Sequence, residues 1–246
     1  MEEIFFTKKN GMKIAGKLFL PETAEGKYPV VIFSHGFNSQ YRYLEKHAAM
    51  MVKQGIACLV YDFCGGGMES LSDGDMLYMT VLTEAEDLLT VVEGIQKHTQ
   101  IDANNLFLMG ESQGGYVSAL VASTIPEQVK GLILWYPAFV IDDDSRKRME
   151  TDRETYDLFG MTISKKFNED AIATDIYAQL PKYKRDVLIL HGDKDEIVPI
   201  SYSERAVSAY DSAKLVVVPG AGHGYEGQDS VNACQNAIDF VKEHLK

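Results

Sequence analysis

Ser112 lies in Gly110-Glu111-Ser112-Gln113-Gly114-Gly115, directly after the apolar run Leu106-Phe107-Leu108-Met109. The pattern is a G-x-S-x-G turn between a strand and a helix, which holds a serine hydroxyl clear of the strand end on strained backbone. Glycines at 110 and 114 suit that turn, because a side chain at either position would crowd it. A bare G-x-S-x-G also arises by chance in loops rich in Gly and Ser. Here both flanks agree, since Tyr116, Val117, Ala119, Leu120 and Ala122 supply a helix with a packable face. A serine placed this way is a nucleophile. It needs a base, a group to orient the base, and donors for an oxyanion.

Candidates for each stand further along the chain, in the order serine, acid, histidine. Asp186-Val187-Leu188-Ile189-Leu190 reads as a buried strand running into His191-Gly192-Asp193-Lys194-Asp195-Glu196-Ile197-Val198-Pro199. Lys214–Val218 reads as the next strand and delivers Pro219-Gly220-Ala221-Gly222-His223-Gly224. His223, in a Gly-rich loop of little packing value, is the expected base. Asp195 is the expected orienting acid, with Asp193 and Glu196 crowding the same loop and Asp193 read as a turn residue capping its own backbone. His191 precedes the acid and reads as a structural residue bonding the acid's loop. His47, His98 and His244 fall on predicted helices, as surface or packing residues. The oxyanion hole takes one N–H from Gln113, at the positive end of the helix. The second comes from Phe37, in the loop Ser34-His35-Gly36-Phe37-Asn38 after the strand Pro29–Phe33, and the Phe37 ring walls the acyl site. His35 belongs to that turn.

Ser34–Phe37, Gly110–Gly115, His191–Pro199 and Gly220–Gly224 together resemble the α/β-hydrolase family, over nearly the whole chain. The His-Gly-Phe turn and Gln179-Leu180-Pro181-Lys182-Tyr183 are similar to bacterial carboxylesterases, notably the cinnamoyl (feruloyl) esterases. The resemblance implies an α/β-hydrolase fold: a mostly parallel central sheet, helices on both faces and a small inserted cap. It implies a serine carboxylesterase that hydrolyses small esters, hydroxycinnamate esters among them, through an acyl-enzyme on Ser112. No metal or organic cofactor is implied. Two departures stand out. Glu111 occupies a position where many relatives carry histidine, which alters local charge without disabling the serine. Phe63-Cys64-Gly65-Gly66-Gly67-Met68-Glu69-Ser70 replaces a more usual Arg-Gly-His-Gly pattern near the site, which bears on substrate more than on chemistry. A serine peptidase gripping a substrate amine with acids such as Asp142–Asp144, a thioesterase and an acyltransferase are the alternatives within the fold. A non-catalytic binding protein is the alternative outside enzyme chemistry, and such proteins typically lose one of the three residues retained here.

The chain has 246 residues and a formal charge of −12, from 36 acids against 24 bases. A length of this order is routinely one α/β domain, so residues 1–246 read as a single domain. The charge argues against nucleic acid or an anionic membrane as partner and favours a soluble protein, while the resemblance implies a small-molecule ester substrate. It sets no oligomeric state, and a homodimer stays open. The start Met1-Glu2-Glu3-Ile4-Phe5 does not read as a signal peptide, and no apolar run reaches membrane-spanning length. Cys58, Cys64 and Cys234 follow no metal spacing, so a reduced, cytoplasmic setting is expected.

Glu3–Thr7 and Met12–Leu20 flank Asn10-Gly11 and read as a hairpin with a two-residue loop. Strand and helix patterns then alternate, with helices expected over Tyr43–Gln54, Thr83–His98, Gly114–Ser123, Tyr202–Ala209 and Ser230–His244. In the last of these, Val231, Cys234, Ile238 and Val241 form a core-facing stripe. Between Trp135-Tyr136-Pro137 and Asp186 the chain far exceeds the dozen or so residues that a crossover needs. The excess must be structured, and the resemblance implies that an insertion at this point forms a cap over the nucleophile, at residues of about 138–184. It should hold a solvated helix start at Asp142-Asp143-Asp144, a short strand over Leu158–Ser164 and a helix from Glu169 to about Leu180. Its aromatics Phe139, Tyr156, Phe159, Phe167 and Tyr177 are candidate pocket walls.

Overall fold

The structure is a computed structural model and describes residues 1–22 and 26–245. An antiparallel hairpin of β1 (Glu2–Thr7) and β2 (Lys13–Phe19) leads into β3 (Tyr28–Ser34), α1 (Glu45–Val52) and β4 (Ala57–Tyr61). Then follow α2 (Val81–Ile95), β5 (Ile101–Glu111), α3 (Ser112–Thr124) and β6 (Gly131–Trp135). The long connection holds α4 (Ile141–Arg148), a hairpin of β7 (Thr155–Leu158) and β8 (Met161–Ser164), α5 (Lys165–Thr174) and α6 (Ile176–Gln179). Last come β9 (Val187–Gly192), α7 (Ser201–Ala209), β10 (Ala213–Val218) and α8 (Gly227–Glu243). Among the described residues one sheet has eight strands in the order β1-β2-β4-β3-β5-β6-β9-β10, and it is parallel from β4 to β10.

The period of two along each strand divides the interior into two cores. Ile32, Leu108, Leu134 and Ile189 face one side, where Leu88 and Val92 of α2 and Val117 and Val121 of α3 pack on them. Phe33, Met109, Trp135 and Leu190, each one residue further on, face the other side against Met51 of α1 and Ile238 and Val241 of α8. Both faces are covered, so the central strands carry unbroken apolar runs. Each fully buried side chain of this size contributes about 1.5–3 kcal/mol. The parallel direction has a functional consequence: the loops after β3, β5, β9 and β10 all emerge at one edge of the sheet, where open α/β sheets place their ligands.

Several sequence expectations change at the level of local geometry. The β1–β2 pair ends at Thr7 and Lys13, so its loop is longer than two residues. A turn closed by Gly11 N–H to Lys8 O, with only Gly11 at positive φ (+89°), replaces the Asn-Gly turn that needs both residues there. The Asn10 side chain instead accepts from the Met12 amide. The expected strand over 158–164 is a two-stranded hairpin turning at Phe159-Gly160, and the expected helix over 169–180 is broken at Asp175 (φ +44°). In α8, Val231 is exposed while Ala237 and Phe240 join Cys234, Ile238 and Val241 in the core. Asp142 does not start a solvated helix. It is buried and accepts from the Tyr116 hydroxyl (2.8 Å) and the Ile176 amide (2.9 Å), which ties α4 to α3 and α6.

Candidate active site

The turn from β5 into α3 sets Ser112 at φ +50°, in the left-handed region that a non-glycine residue rarely adopts. The neighbouring glycines make the turn sterically feasible. A Cβ on Gly110 would stand 2.1 Å from the Gly114 carbonyl oxygen, and one on Gly114 would stand 2.4 Å from the oxygens of Ser34 and His35. The loop after β3 lies against the same turn, since a Cβ on Gly36 would stand 3.2 Å from the Ser112 Cβ. Within that loop the buried His35 is held as a neutral ring. Its Nε2 accepts from the Phe63 amide (3.1 Å), so Nδ1 carries the proton and donates to the Gly36 oxygen (2.7 Å). Burial is the main cause holding its pKa below the usual value.

The loops after β9 and β10 bring the other two residues to Ser112. His223 Nε2 lies 2.9 Å from Ser112 Oγ, and His223 Nδ1 lies 2.7 Å from Asp195 Oδ2. Asp195 can only accept, so Nδ1 carries the proton and Nε2 offers its lone pair to the serine hydroxyl. The other oxygen of Asp195 accepts from the amides of Ile197 (3.0 Å) and Val198 (2.8 Å). Burial alone would push the Asp195 carboxyl up. Hydrogen bonds from His191, His223 and the Val198 amide outweigh burial and hold it well below the usual carboxylate range. His191 is fully buried and bonds Ser203 Oγ (2.7 Å) and the Val198 oxygen (2.8 Å), so it braces the acid's loop. Asp193 departs from its expected part. Its Oδ1 accepts from the Gly220 amide (2.6 Å) and pins the acid's loop to the loop of His223.

Around Ser112 lies a cleft of about 340 Å³, walled by Phe37, Asn38, Glu111, Tyr136, Phe159, Ile197 and His223. That is within the range of sites for small organic ligands. Of the five aromatics expected as walls, only Phe159 lines it, its ring 6.4 Å from that of Phe37. Phe139 and Phe167 are fully buried, Tyr156 bonds back to the Thr151 oxygen, and Tyr177 bonds the Tyr202 oxygen and stacks under Arg205. Phe139, Tyr156 and Phe167 belong to the core that the insertion shares with α3, and Tyr177 ties the insertion to α7. Beneath the cleft, the Gln113 side chain donates to buried Glu84 (2.8 Å), which follows the Thr80 cap of α2. Sequence reasoning did not single out Glu84 or Tyr136. Their partners lie 29 and 25 residues away, so no local pattern marks them.

A mostly parallel sheet with a hydrogen-bonded serine, histidine and aspartate on the loops at its carboxyl edge is the arrangement of an α/β hydrolase. Residues 27–165 match the family model described as serine aminopeptidase, S33, and residues 170–242 match that of TAP-like proteins. The chain belongs to the α/β-hydrolase family, whose members are hydrolases, esterases among them. The fold is similar to that of Est1E from Butyrivibrio proteoclasticus, solved with ferulic acid bound. The TM-score is 0.89 and identity 26%, covering 98% of this chain and 99% of that one. A non-heme haloperoxidase of Rhodococcus erythropolis is 41% identical over 90 residues, which span 34% of this chain and 32% of that protein. The serine hydrolase BPHL of Mus musculus is 21% identical, over 84% of this chain and 76% of that protein. Among the described residues no helix is long and apolar enough to cross a membrane.

Proposed function

We propose that the protein is a serine carboxylesterase acting on small esters, with hydroxycinnamate esters as the favoured class. The reading is carried by the hydrogen-bonded row Ser112–His223–Asp195 opening onto the cleft. Ser112 Oγ attacks the ester carbonyl while His223 Nε2 takes the hydroxyl proton, and Asp195 holds the imidazole. The N–H groups of Phe37 and Gln113 bind the oxyanion. The C–O bond to the alcohol then breaks, His223 returns its proton to the leaving alkoxide, and an ester links the acyl group to Ser112. Water, deprotonated by His223, attacks that ester, the bond from the acyl carbon to Ser112 Oγ breaks, and His223 returns its proton to Ser112 as the acid leaves. The paired rings of Phe37 and Phe159 suit a flat aromatic acyl group, and the similarity to Est1E, the protein solved with ferulic acid, supports that class.

A peptidase reading draws support from the description of the matching family model. Of the acids expected to grip a substrate amine, Asp142 is engaged with Tyr116 and Asp143 with Tyr202, and Asp144 does not line the cleft. Within the cleft the carboxylate is that of Glu111, which already accepts from Tyr136. The ester reading is therefore preferred, and turnover of aminoacyl anilides distinguishes the two.

The test is kcat/KM for methyl ferulate beside p-nitrophenyl butyrate, with Ser112→Ala as the blank. Comparable or better use of the ferulate is expected, with the variant below about a thousandth of wild-type turnover. Butyrate turnover without ferulate turnover leaves a small-ester carboxylesterase. Several per cent of activity in a clean Ser112→Ala preparation overturns the nucleophile.

A further inference from the structure

Two side chains at the site have no part in the reaction as written. Tyr136 follows β6 with φ +35°, a left-handed conformation on a bulky residue, directly before Pro137. Such backbone costs on the order of 1–3 kcal/mol and persists only where its surroundings over-determine it. Here they do. The Tyr136 amide donates to the Leu190 oxygen (2.8 Å), and two residues on, the Ala138 amide donates to the Ser112 oxygen (2.9 Å). The Tyr136 hydroxyl donates to Glu111 Oε2 (2.9 Å). The ring so fixed lies 4.8 Å from the His223 ring and 4.7 Å from that of Tyr225, edge-on to both. Glu111 is the residue directly before the nucleophile, and it lines the same cleft as His223.

We propose that Glu111 and Tyr136 are a pair of positioning residues for His223. The Glu111 carboxylate fixes the Tyr136 hydroxyl, and the Tyr136 ring fixes the plane of the imidazole between Ser112 and Asp195. The inference rests on the acyl-transfer reading above. In that reaction the imidazole must keep hydrogen bonds on both nitrogens at once, and a small rotation of the ring lengthens both. His223 itself lines the cleft, so it has open space on one side, while the Tyr136 ring packs against it. Attack by Ser112 leaves His223 positively charged, and a carboxylate held in place beside it adds a favourable field without reorganisation. Burial holds the Glu111 carboxyl above its usual value, and the Tyr136 hydroxyl, the Gly36 amide and His223 oppose that shift without cancelling it. Strained backbone at Tyr136 and a carboxylate next to the nucleophile are thus two parts of one device.

The test uses Tyr136→Phe, Glu111→Leu, which leaves no acceptor for the Tyr136 hydroxyl, and the double variant in the full chain. Three quantities are read: kcat and KM for p-nitrophenyl butyrate, the rate at which a fluorophosphonate modifies Ser112, and Tm. Each single variant is expected to lower kcat and the modification rate about tenfold or more, with KM within about twofold and the fold intact. The double variant is expected to be no worse than the more impaired single one, because both remove the same hydrogen bond. Unchanged kcat in both singles, a loss confined to KM, or losses that multiply in the double variant would each overturn the pairing. A wild-type Ser112 inert to the fluorophosphonate overturns the acyl-transfer reading itself. A reactive wild type with unaffected variants overturns the pair alone.

Discussion

Asp195 accepts from His223 Nδ1 at 2.7 Å through one oxygen, while its other oxygen takes the amides of Ile197 and Val198. Asp193, two residues earlier, bonds the Gly220 amide instead. The two aspartates of one short loop therefore do different work, one orienting a ring and the other joining two loops. An Asn at 195 offers the imidazole either an oxygen or an amide donor, and the donor favours the wrong tautomer of His223. An Asn at 193 keeps an oxygen for Gly220.

Asp195→Asn is accordingly expected to lower kcat by about 10³–10⁴, as the equivalent change does in other serine hydrolases. Asp193→Asn is expected to stay within about threefold of wild type, because a neutral acceptor replaces a charged one at a backbone amide. Steady-state kinetics on both proteins, with Tm as a check on folding, decide the matter. Equal losses would remove Asp195 from the reaction.

Phe159 occupies the turn of the β7–β8 hairpin at φ +53°, with Gly160 at φ +79°. Both central residues at positive φ make this a turn that Asn-Gly would satisfy at less cost. The strained residue is instead a phenylalanine that is 68% exposed and faces the cleft, so packing does not account for it. Phe159→Asn is expected to leave Tm unchanged or higher, since Asn tolerates this backbone. The same variant should raise KM for methyl ferulate about three- to tenfold, a loss on the scale of one aromatic contact, with kcat little altered. A KM that does not move would take the Phe159 ring out of substrate binding.

Gly114 tests the geometry of the elbow separately from its chemistry. A methyl group there meets backbone oxygens of Ser34 and His35 at 2.4 Å, and backbone cannot swing aside as a flexible side chain can. Gly114→Ala is expected to abolish soluble folded protein or to lower Tm by about 10 °C or more, at about 2–4 °C per kcal/mol for a chain of this size. Gly220→Ala is the contrast: φ is +76° but no atom lies within 4 Å of the added carbon, so the loss reflects backbone strain alone and should be smaller. Thermal melts of the two proteins rank the effects, and a Gly114→Ala protein as stable as wild type would contradict the close approach.

What could be read from the sequence depended on how local its cause was. β3, β5 and β9 are buried on both faces and so stand out as apolar runs, and the turns that follow them carry glycines and polar residues in short, ordered strings. Ser112, Asp195 and His223 could be nominated because each lies in such a turn, and the structure brings all three within hydrogen-bond distance. The insertion was less legible. Phe139 and Phe159 are both aromatic residues in irregular sequence, yet one is fully buried and the other lines the cleft. Periodicity carries no sense of inward or outward over so short a segment. Asp142 stands in a run of three acids that reads as solvated, and only the distant Tyr116 hydroxyl and Ile176 amide make its burial tolerable. Glu111 could be noticed as a departure from relatives, but its partner Tyr136 is 25 residues on and could not be inferred.

Glu84 carries a pH dependence of its own. It is buried beneath the cleft, and burial is the largest influence on its carboxyl. The Gln113 hydrogen bond opposes that and nearby Asp87 adds to it, so the pKa is pushed up to about 8 from 4.5. A raised carboxyl pKa means that the folded chain holds a proton which the unfolded chain releases near pH 4.5. The associated stability is fully present below about pH 4.5, declines as pH rises and is lost above about 8. Glu84→Gln removes the titration and keeps an oxygen to accept from the Gln113 side chain. Its Tm should match wild type near pH 4.5 and exceed it by about 5 °C or more near pH 8.5, where wild type must bury a charge. Melts of both proteins across this range give the difference directly and cancel the other titrating groups. A difference that stays flat with pH would mean that Glu84 is ionised in the folded protein throughout, with the Gln113 amide sufficient to hold the charge.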